Sequence, residues 1–301
     1  MIVDDNFIKK FKDNVGKNVN LSNYSWFNLG GNAEYFFKAR DKYQLLDFLK
    51  ESKKRKIKTT FLGAGSNILF RDNGVKGAVI KLGQDFSYTK LISKDILEVG
   101  AATLDRKVSN FARENNLGNL EFLSCIPGSV GGAIVMNSGC YKNDISKVLI
   151  SIKAIDKNKF LEVEIKNEDI KFSYRGCNLN KDLIIISAKL KGSIQKKEKI
   201  EKKQLELINR KKTSQPSQIK TCGSTFKNIS EDKKAWMLIK KAGCENYRVG
   251  DAVISQKHCN FFVNNGKAKS SDIENLIIRV KKKVQEKTGV NLELEIKIVG
   301  E

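Results

Sequence analysis

In the first part of the chain, short apolar runs alternate with one longer amphipathic stretch. The run YFFKAR at 35–40 predicts a strand. In the stretch 43–57, the apolar residues from Leu45 to Leu49 fall on one face at helical spacing, which predicts a helix. Further strands beside turns are predicted at 59–70 and 77–82.

The middle of the chain combines several strands with two helices. Gly100 interrupts a strand predicted at 96–104, and the spacing over 104–118 predicts a helix that Gly118 terminates. The stretch 195–212 interleaves Glu and Lys around an apolar stripe, which is typical of a solvated amphipathic helix. Other strands are predicted at 149–155, 160–165 and 182–190.

A polar stretch with one of only two prolines, 213–220, predicts a linker. Beyond it, the pattern predicts a helix at 233–243, a strand at 260–264, a helix at 271–289 and an alternating strand at 292–301. Strands and helices that mix without regular βαβ repetition predict an α+β fold.

Length and composition are those of an ordinary globular protein. The 301 residues, 40% hydrophobic and 30% charged, allow a sizeable core and two domains. The charged N-terminal stretch lacks the apolar core of a secretory signal, and no run approaches the ~18 apolar residues of a membrane helix. We therefore expect a soluble, cytoplasmic protein without a membrane partner.

The formal net charge of +22 raises the alternative of a nucleic-acid-binding module. The lysines, however, are spread from Lys9 to Lys297 instead of being gathered on one element with interleaved aromatic residues. We expect no nucleic-acid partner, and a positive field of this kind can instead attract a small polyanionic substrate.

Cysteine and histidine usage limits the available chemistry. The six cysteines are scattered and contain no CxxC pair, so reduced thiols and no metal site are expected. His258 is the single histidine and has no nucleophile motif beside it, which leaves little room for a histidine-dependent nucleophilic mechanism.

Glycines two apart in FLGAGSNILF (61–70) indicate a close backbone approach. A dinucleotide-binding loop of the GxGxxG type leads into a helix, whereas a strand-like run follows here. A loop that binds a nucleoside triphosphate needs GK[ST], which is missing from this stretch. The segment from Gly63 to Asn67 therefore predicts a strand–turn–strand phosphate cradle. A plain glycine turn is the equal alternative from this stretch alone.

A second stretch, EFLSCIPGSVGGAIVMNSG (121–139), favours the phosphate interpretation. Pro127-Gly128 predicts a turn, and Gly131-Gly132 allows another backbone to approach. Ser124 and Ser129 supply hydroxyl groups. Two such loops can enclose an extended diphosphate ligand between them.

With these two loops, the motifs FSYRGC (172–177), CGSTFKN (222–228) and GVNLELEIKIVG (289–300) follow in order. From about residue 28 to the C-terminus, the chain resembles the UDP-N-acetylenolpyruvoylglucosamine reductases, flavoenzymes of peptidoglycan precursor synthesis and cell-wall biogenesis. It departs from the usual pattern at Asn119, where a Gly-Leu pair is usual, at Cys222, where Ala or Gly is common, and at Ile229, where Pro is usual. No inserted loop carries an extra substrate tyrosine, so the shorter subtype is implied.

The resemblance implies an FAD-binding unit of the vanillyl-alcohol-oxidase (PCMH) type over 1–212, with two subdomains split near 82. It further implies an α+β substrate-binding domain at 213–290 and a strand, 291–301, that returns to the active site. The FAD would be held by the two loops, with NADPH as hydride donor. It would be noncovalent, because no cysteine lies in the first loop and the only histidine is far beyond. The implied cofactor-binding residues are Gly63, Ala64, Gly65, Ser66, Asn67, Ser124, Pro127, Gly128, Ser129 and Gly132.

Reduction of an enolpyruvyl ether needs a cation on the carboxylate, a proton donor and a group that fixes the donor. By resemblance, Arg175, Ser224 and Glu295 fill these roles, although each residue type is also common in a surface turn or strand. Strand periodicity alone does not separate Glu295 from Glu293, which faces the same side.

The UDP-sugar substrate is implied to contact Tyr174, Lys227, Asn228 and His258, although a structural role for His258 is an equal alternative. A monomer is expected. Another FAD oxidase or dehydrogenase of the same superfamily is the second enzymatic hypothesis, and the CGSTFKN and LELEIKI motifs argue against it.

Overall fold

The computed structural model describes residues 5–11 and 13–301 and divides the chain into two compact units. The large unit comprises the chain up to Gly16, Phe36–Ala64 and Ala78–Lys211, and the small unit comprises Lys17–Tyr35, Gly65–Gly77 and Lys212–Glu301. The segments 17–35 and 65–77 thus pack with the C-terminal third of the chain, which the sequence pattern does not indicate. Since packing does not tell which ligand each unit binds, the functional domain bounds given above stay a prediction.

Helices and strands are mixed along the chain, as the α+β prediction requires. The helices are α1 (Asp5–Lys10), α2 (Lys42–Lys54), α3 (Asp105–Glu114), α4 (Val130–Val135), α5 (Lys197–Ser214), α6 (Ala235–Lys241) and α7 (Ser270–Thr288). The strands are β1 (Val15–Asn20), β2 (Asn32–Ala39), β3 (Thr59–Leu62), β4 (Ile68–Phe70), β5 (Val75–Leu82), β6 (Thr89–Ser93), β7 (Ile96–Gly100), β8 (Leu117–Gly118), β9 (Gly139–Cys140), β10 (Asn143–Asp144), β11 (Leu149–Asp156), β12 (Leu161–Lys166), β13 (Phe172–Ser173), β14 (Gly176–Cys177), β15 (Leu183–Lys191), β16 (Ser193–Ile194), β17 (Arg248–Val249), β18 (Ala252–Ile254), β19 (Phe262–Asn264) and β20 (Lys297–Val299).

The large unit is organised by an antiparallel five-stranded sheet in the order β12-β11-β15-β7-β6. It shares one hydrophobic core with α3 and α4, which includes fully buried residues such as Leu97, Val108, Ile134 and Ile152. Strand β3 pairs in parallel with β5, so that Leu62 lies opposite Lys81 and both strands end on the same side. This pairing places the first predicted loop directly after β3.

In the small unit, α6 packs on α7, and α7 packs on the antiparallel sheet β17-β18-β19. Helix α7 buries Ile273, Leu276 and Val280 against this sheet and ends at Gly289, whose positive φ of 70° is the left-handed conformation that glycine accepts at low cost. Strand β20 pairs in parallel with β4, with Ile298 opposite Leu69. The C-terminal strand is therefore anchored beside the first predicted loop.

Several element boundaries differ from the sequence predictions. Helix α3 ends at Glu114 and not at Gly118, because Asn116 adopts a positive φ of 57°, a conformation that asparagine tolerates. Helix α5 continues to Ser214 into the predicted linker. Within 292–301, only Lys297–Val299 forms a regular strand, and Leu294 makes an isolated bridge to Phe226.

Among the described residues, no helix combines the length and hydrophobicity that a membrane span requires.

Candidate active site

Gly63, in the part of the first loop that belongs to the large unit, lies close to the second loop. It is exposed at the end of β3, and a Cβ placed on it would lie 2.9 Å from the hydroxyl oxygen of Ser129. Any larger residue at this position would require the Ser129 hydroxyl to move. The close backbone approach expected from the sequence is therefore real, and its partner in the protein is Ser129.

Lys81 is a residue of this region that sequence reasoning missed. Its ammonium group donates a hydrogen bond of 2.6 Å to the Gly63 carbonyl. Burial, together with the charge of nearby Lys38, lowers the pKa of Lys81, as expected for a cation held partly out of water. The available signal was its position near the end of the buried strand β5, opposite the last residue of β3.

The second half of the first loop, from Gly65 to Asn67, belongs to the small unit and is held by protein contacts. Gly65 has a positive φ of 73°, and a Cβ on it would collide with the Tyr24 carbonyl, so the plain-turn explanation accounts for this glycine. The Asn67 amide donates to the Glu295 carbonyl at 3.0 Å, and its own carbonyl accepts from the Lys297 N–H at 3.0 Å. Ser66, which lies between Gly65 and Asn67 in the chain, is half-buried. Their predicted cofactor contacts stay predictions.

The second loop is fixed on both sides. The Ser124 hydroxyl closes the 3₁₀ turn Glu121–Cys125 by donating to the Glu121 carbonyl at 2.6 Å. Gly131 approaches Ala101 closely, with an N–H···O bond of 2.9 Å and room for no larger residue without adjustment, as the sequence predicted. Gly132 and Pro127 are exposed. These bonds hold the second loop in place, and part of the loop is exposed.

Asp105, another residue that sequence reasoning missed, lies buried against the second loop. Its carboxyl group is fully buried against Gly128, and neither oxygen has a hydrogen-bond partner among the residues the structure describes. Burial raises the pKa of Asp105 well above its ordinary value and so favours the neutral carboxyl group. Its backbone N–H holds the Gly128 carbonyl at 3.1 Å.

Arg175 occupies the tip of a tight hairpin in the large unit. Strands β13 and β14 are joined by Tyr174 and Arg175 alone, and Arg175 has a positive φ of 58°, which is costly for a residue with a Cβ. Its guanidinium donates to the Gly139 carbonyl at 2.9 Å and lies 5.1 Å from the centre of the exposed Tyr174 ring. Strain at a residue held by several contacts often marks a functional site.

The base of this hairpin is positioned by Asn137. The buried Asn137 amide donates to the Ser173 carbonyl at 3.1 Å, and its oxygen accepts from the Ser146 N–H at 3.2 Å. The sequence showed this residue only as part of the second loop. Its contacts connect the 121–139 stretch to the arginine hairpin.

Ser224 and Glu295 lie on neighbouring extended segments of the small unit. The Glu295 N–H donates to the Thr225 carbonyl at 2.9 Å, and Ser224 itself makes a β-bridge with Phe261. Both side chains are half-buried. Gly223 has a positive φ of 81°, and a Cβ there would meet no atom within 4 Å, so open space adjoins Ser224.

Asn260 fixes the segment that carries Ser224, which the sequence did not reveal. Its buried side chain accepts from the Phe226 N–H at 3.0 Å and donates to the Phe226 carbonyl at 2.8 Å. Its backbone carbonyl accepts from the Thr225 N–H at 2.8 Å. These bonds fix the backbone that carries Ser224 and Lys227.

The structure separates the two glutamates that the sequence could not. Glu293 is 79% exposed in its side chain and pairs with the Lys227 ammonium at 3.6 Å, whereas Glu295 is half-buried. Water largely screens the charge of an exposed carboxylate such as that of Glu293. The half-buried Glu295 therefore fits the predicted catalytic role better.

The contacts of Asn228 and His258 include structural ones. The Asn228 side chain accepts from the Ala235 N–H at 3.0 Å and thereby caps α6. The His258 Nδ1 accepts from the Asn260 N–H at 3.3 Å, and its ring packs edge-on against Phe261. Burial lowers the pKa of His258. These features suit a neutral histidine with satisfied contacts, and a substrate contact of either residue stays a prediction.

Comparison with known proteins gives consistent relationships for both units. Residues 33–159 match the FAD binding domain family, and residues 215–299 match the C-terminal domain of UDP-N-acetylenolpyruvoylglucosamine reductase. The chain is 44% identical to the UDP-N-acetylenolpyruvoylglucosamine reductase of Pelagibacter ubique over 97% of this chain and 98% of that protein. It is 41% identical to the reductase of Orientia tsutsugamushi, over 97% of each chain.

A solved structure extends these relationships to the fold. The crystal structure of UDP-N-acetylenolpyruvylglucosamine reductase from Thermus caldophilus superimposes with a TM-score of 0.81 at 32% identity, covering 93% of this chain and 97% of that one. The α+β fold with a PCMH-type FAD-binding part and a C-terminal domain, expected from the motifs, is confirmed. The chain belongs to the UDP-N-acetylenolpyruvoylglucosamine reductase family.

Proposed function

We propose that this protein reduces the enolpyruvyl ether of UDP-N-acetylglucosamine enolpyruvate to UDP-N-acetylmuramate with NADPH. Family membership and the FAD-binding domain make the chain an FAD-dependent oxidoreductase of peptidoglycan precursor synthesis. The observation that carries the finer proposal is the pairing of the Ser224 segment with Glu295. The Glu295 N–H donates a hydrogen bond of 2.9 Å to the carbonyl of Thr225, the residue after Ser224.

The loops of the large unit fit a noncovalent FAD diphosphate. Gly63 and Ser129 leave a space that a Cβ on Gly63 would fill. The Lys81 ammonium beside this space complements the negative charge of a diphosphate. Ala64, Ser124, Pro127, Gly128 and Gly132 line the same two loops. Gly65, Ser66 and Asn67 are proposed to contribute backbone groups, since the Asn67 side chain already holds the C-terminal strand.

When bound, FAD supplies hydride transfer from NADPH to the vinyl carbon of the substrate. In this proposal, the planar guanidinium of Arg175 binds the substrate carboxylate and stabilises the charge that develops beside it. The Gly139 and Tyr174 contacts hold that guanidinium in place. The hairpin strain is then the cost of presenting an arginine at a fixed position.

Ser224 donates the proton to the carbon next to the carboxylate. A hydroxyl group is a weak acid, so it needs a neighbour that stabilises its conjugate base or relays a proton. Glu295 is proposed to orient and assist Ser224, while Tyr174, Lys227, Asn228 and His258 bind the rest of the UDP-sugar. We further propose that the protein acts as a monomer in the cytoplasm.

The test is to separate the two half-reactions in the Ser224→Ala variant. Reduction of the enzyme by NADPH should remain within about threefold of wild type, whereas reoxidation by substrate should slow by roughly 10²- to 10⁴-fold. Ser217→Ala, at an exposed serine of the same unit, is the matched control and should change neither rate. An equal collapse of both half-reactions in Ser224→Ala would indicate a cofactor-binding role instead.

A further inference from the structure

Two cysteines of the large unit lie against each other between the second loop and the arginine hairpin. Cys125 is the last residue of the Glu121–Cys125 turn, and Cys140 lies in β9, which packs on that turn. The Cys140 sulfur lies 3.4 Å from the Phe122 carbonyl oxygen, and Cys140 is also a side-chain hydrogen-bond partner of Cys125, so its single proton is shared between the two acceptors. All six cysteines of the chain are in the free thiol form.

The surroundings of the two thiols favour one thiolate. The hydrogen bond from Cys140 outweighs burial, and together with the neighbouring Ser124 hydroxyl, 3.8 Å from the sulfur, and the charge of Lys211 it lowers the pKa of Cys125. The same partnership raises the pKa of Cys140. The Lys211 ammonium is held in place by donating to the Cys125 carbonyl at 2.6 Å.

The other thiols do not share this environment. Burial raises the pKa of each of them, and the pKa of Cys222 rises to about 11. Since the thiolate is the reactive form, the lowered pKa distinguishes Cys125 from these residues. They are Cys177, Cys222, Cys244 and Cys259.

We propose that Cys125 and Cys140 form a peroxide-sensitive dithiol, a modification site that closes to an intramolecular disulfide. The Cys125 thiolate attacks one oxygen of hydrogen peroxide, the O–O bond breaks, and a sulfenic acid and hydroxide form. The Cys140 sulfur then attacks the Cys125 sulfur, the S–O bond breaks, and water leaves. Two thiols lose two electrons in total and peroxide gains them.

The disulfide joins two segments that carry proposed functional groups. Cys125 is two residues before Pro127 in the second loop, and the Gly139 carbonyl that holds Arg175 is adjacent to Cys140. Closing the bond shifts both segments, so oxidation lowers activity and reduction restores it. This consequence for activity rests on the proposed function, whereas formation of the bond does not.

The test treats the full-length protein, with any bound FAD, with hydrogen peroxide and then alkylates the remaining thiols. Non-reducing peptide mass spectrometry should find a Cys125–Cys140 link with the loss of two hydrogen atoms, reversed by dithiothreitol. In Cys140→Ser, dimedone should trap a sulfenic acid on Cys125. In Cys125→Ser, Cys140 should stay reduced, and Cys177→Ser should form the link as wild type does.

Failure to form the link, or equal oxidation of Cys177, would overturn the proposal. Either result would leave the reductase function untouched, because the mass measurement does not depend on turnover. Conversely, a link that forms in a protein without reductase activity would support the dithiol and refute only the proposed function. Loss of activity that dithiothreitol does not reverse would contradict the predicted coupling.

Discussion

Replacing Arg175 by glycine should remove activity while leaving the fold intact. Most active-site substitutions leave doubt about whether a loss of activity reflects a loss of structure. Here the backbone conformation separates the two effects, because Arg175 adopts a positive φ of 58° at the tip of a two-residue hairpin loop. Glycine takes this conformation without a Cβ penalty.

The expected change in stability is small because opposing terms have similar size. Relief of the left-handed conformation contributes about 1–2 kcal/mol in favour of the variant. Loss of the Gly139 hydrogen bond costs about 1 kcal/mol, and loss of the cation–π contact with the exposed Tyr174 costs about 0.5–1 kcal/mol. The free energy of unfolding should therefore change by less than about 1 kcal/mol.

The expected change in activity is much larger. Removing a group that stabilises developing negative charge typically lowers kcat by about 10²- to 10³-fold. Arg175→Lys is the matched control, since it keeps the charge and the backbone strain but loses the planar fork. Its activity should lie between those of wild type and Arg175→Gly.

The assay combines urea unfolding of each variant with substrate-dependent reoxidation of the reduced enzyme. We predict a normal unfolding midpoint and slow reoxidation for Arg175→Gly, with little change in reduction by NADPH. Full activity in Arg175→Gly would refute the assigned role of the guanidinium. A loss of more than about 3 kcal/mol of stability would refute the balance of strain and contacts.

Two further predictions concern acidic residues of the small unit. Glu295→Gln should slow reoxidation of the reduced enzyme by about 10²-fold. Glu293→Gln removes only an exposed ion pair with Lys227 at 3.6 Å and should leave the rate nearly unchanged. Equal effects of the two substitutions in stopped-flow measurements would contradict the assignment of Glu295. The Asp72 carboxylate caps α7 by accepting from the Ser270 and Ser271 N–H groups at 2.7 and 2.9 Å, so Asp72→Ala should lower stability by about 1 kcal/mol at pH 7. Burial opposes ionisation of Asp72, but these bonds outweigh it and hold the pKa of Asp72 below its usual value, so the deficit of Asp72→Ala should shrink as the pH falls below about 4 and the cap is protonated. Thermal unfolding from pH 3 to 7 checks this, and a deficit independent of pH would contradict it.

The parts of the fold that depend on local pattern could be predicted from the sequence. Helical spacing located α2 and α7, and the apolar runs located β3, β5 and β11, because these signals reside in consecutive residues. The end of α3 was missed because Asn116 takes a left-handed conformation that is usually assigned to glycine. The compact units could not be predicted, since the segments 17–35 and 65–77 join the C-terminal third only through packing.

The candidate site shows the same division between local and tertiary information. The glycines at 63 and 131 could be read as close approaches, but the partner at Gly63 is a serine of a distant loop. The roles of Lys81, Asp105 and Asn260 depend on burial and on neighbours far away in sequence, so no local pattern marks them. The choice between Glu293 and Glu295 needed their exposure, because both face the same side of the chain.

The most direct test of the account is the visible spectrum of the purified protein through one anaerobic cycle. We predict a yellow protein whose flavin absorbance disappears with NADPH and returns when UDP-N-acetylglucosamine enolpyruvate is added. A protein that is reduced by NADPH and stays reduced when this substrate is added would contradict the proposed reaction.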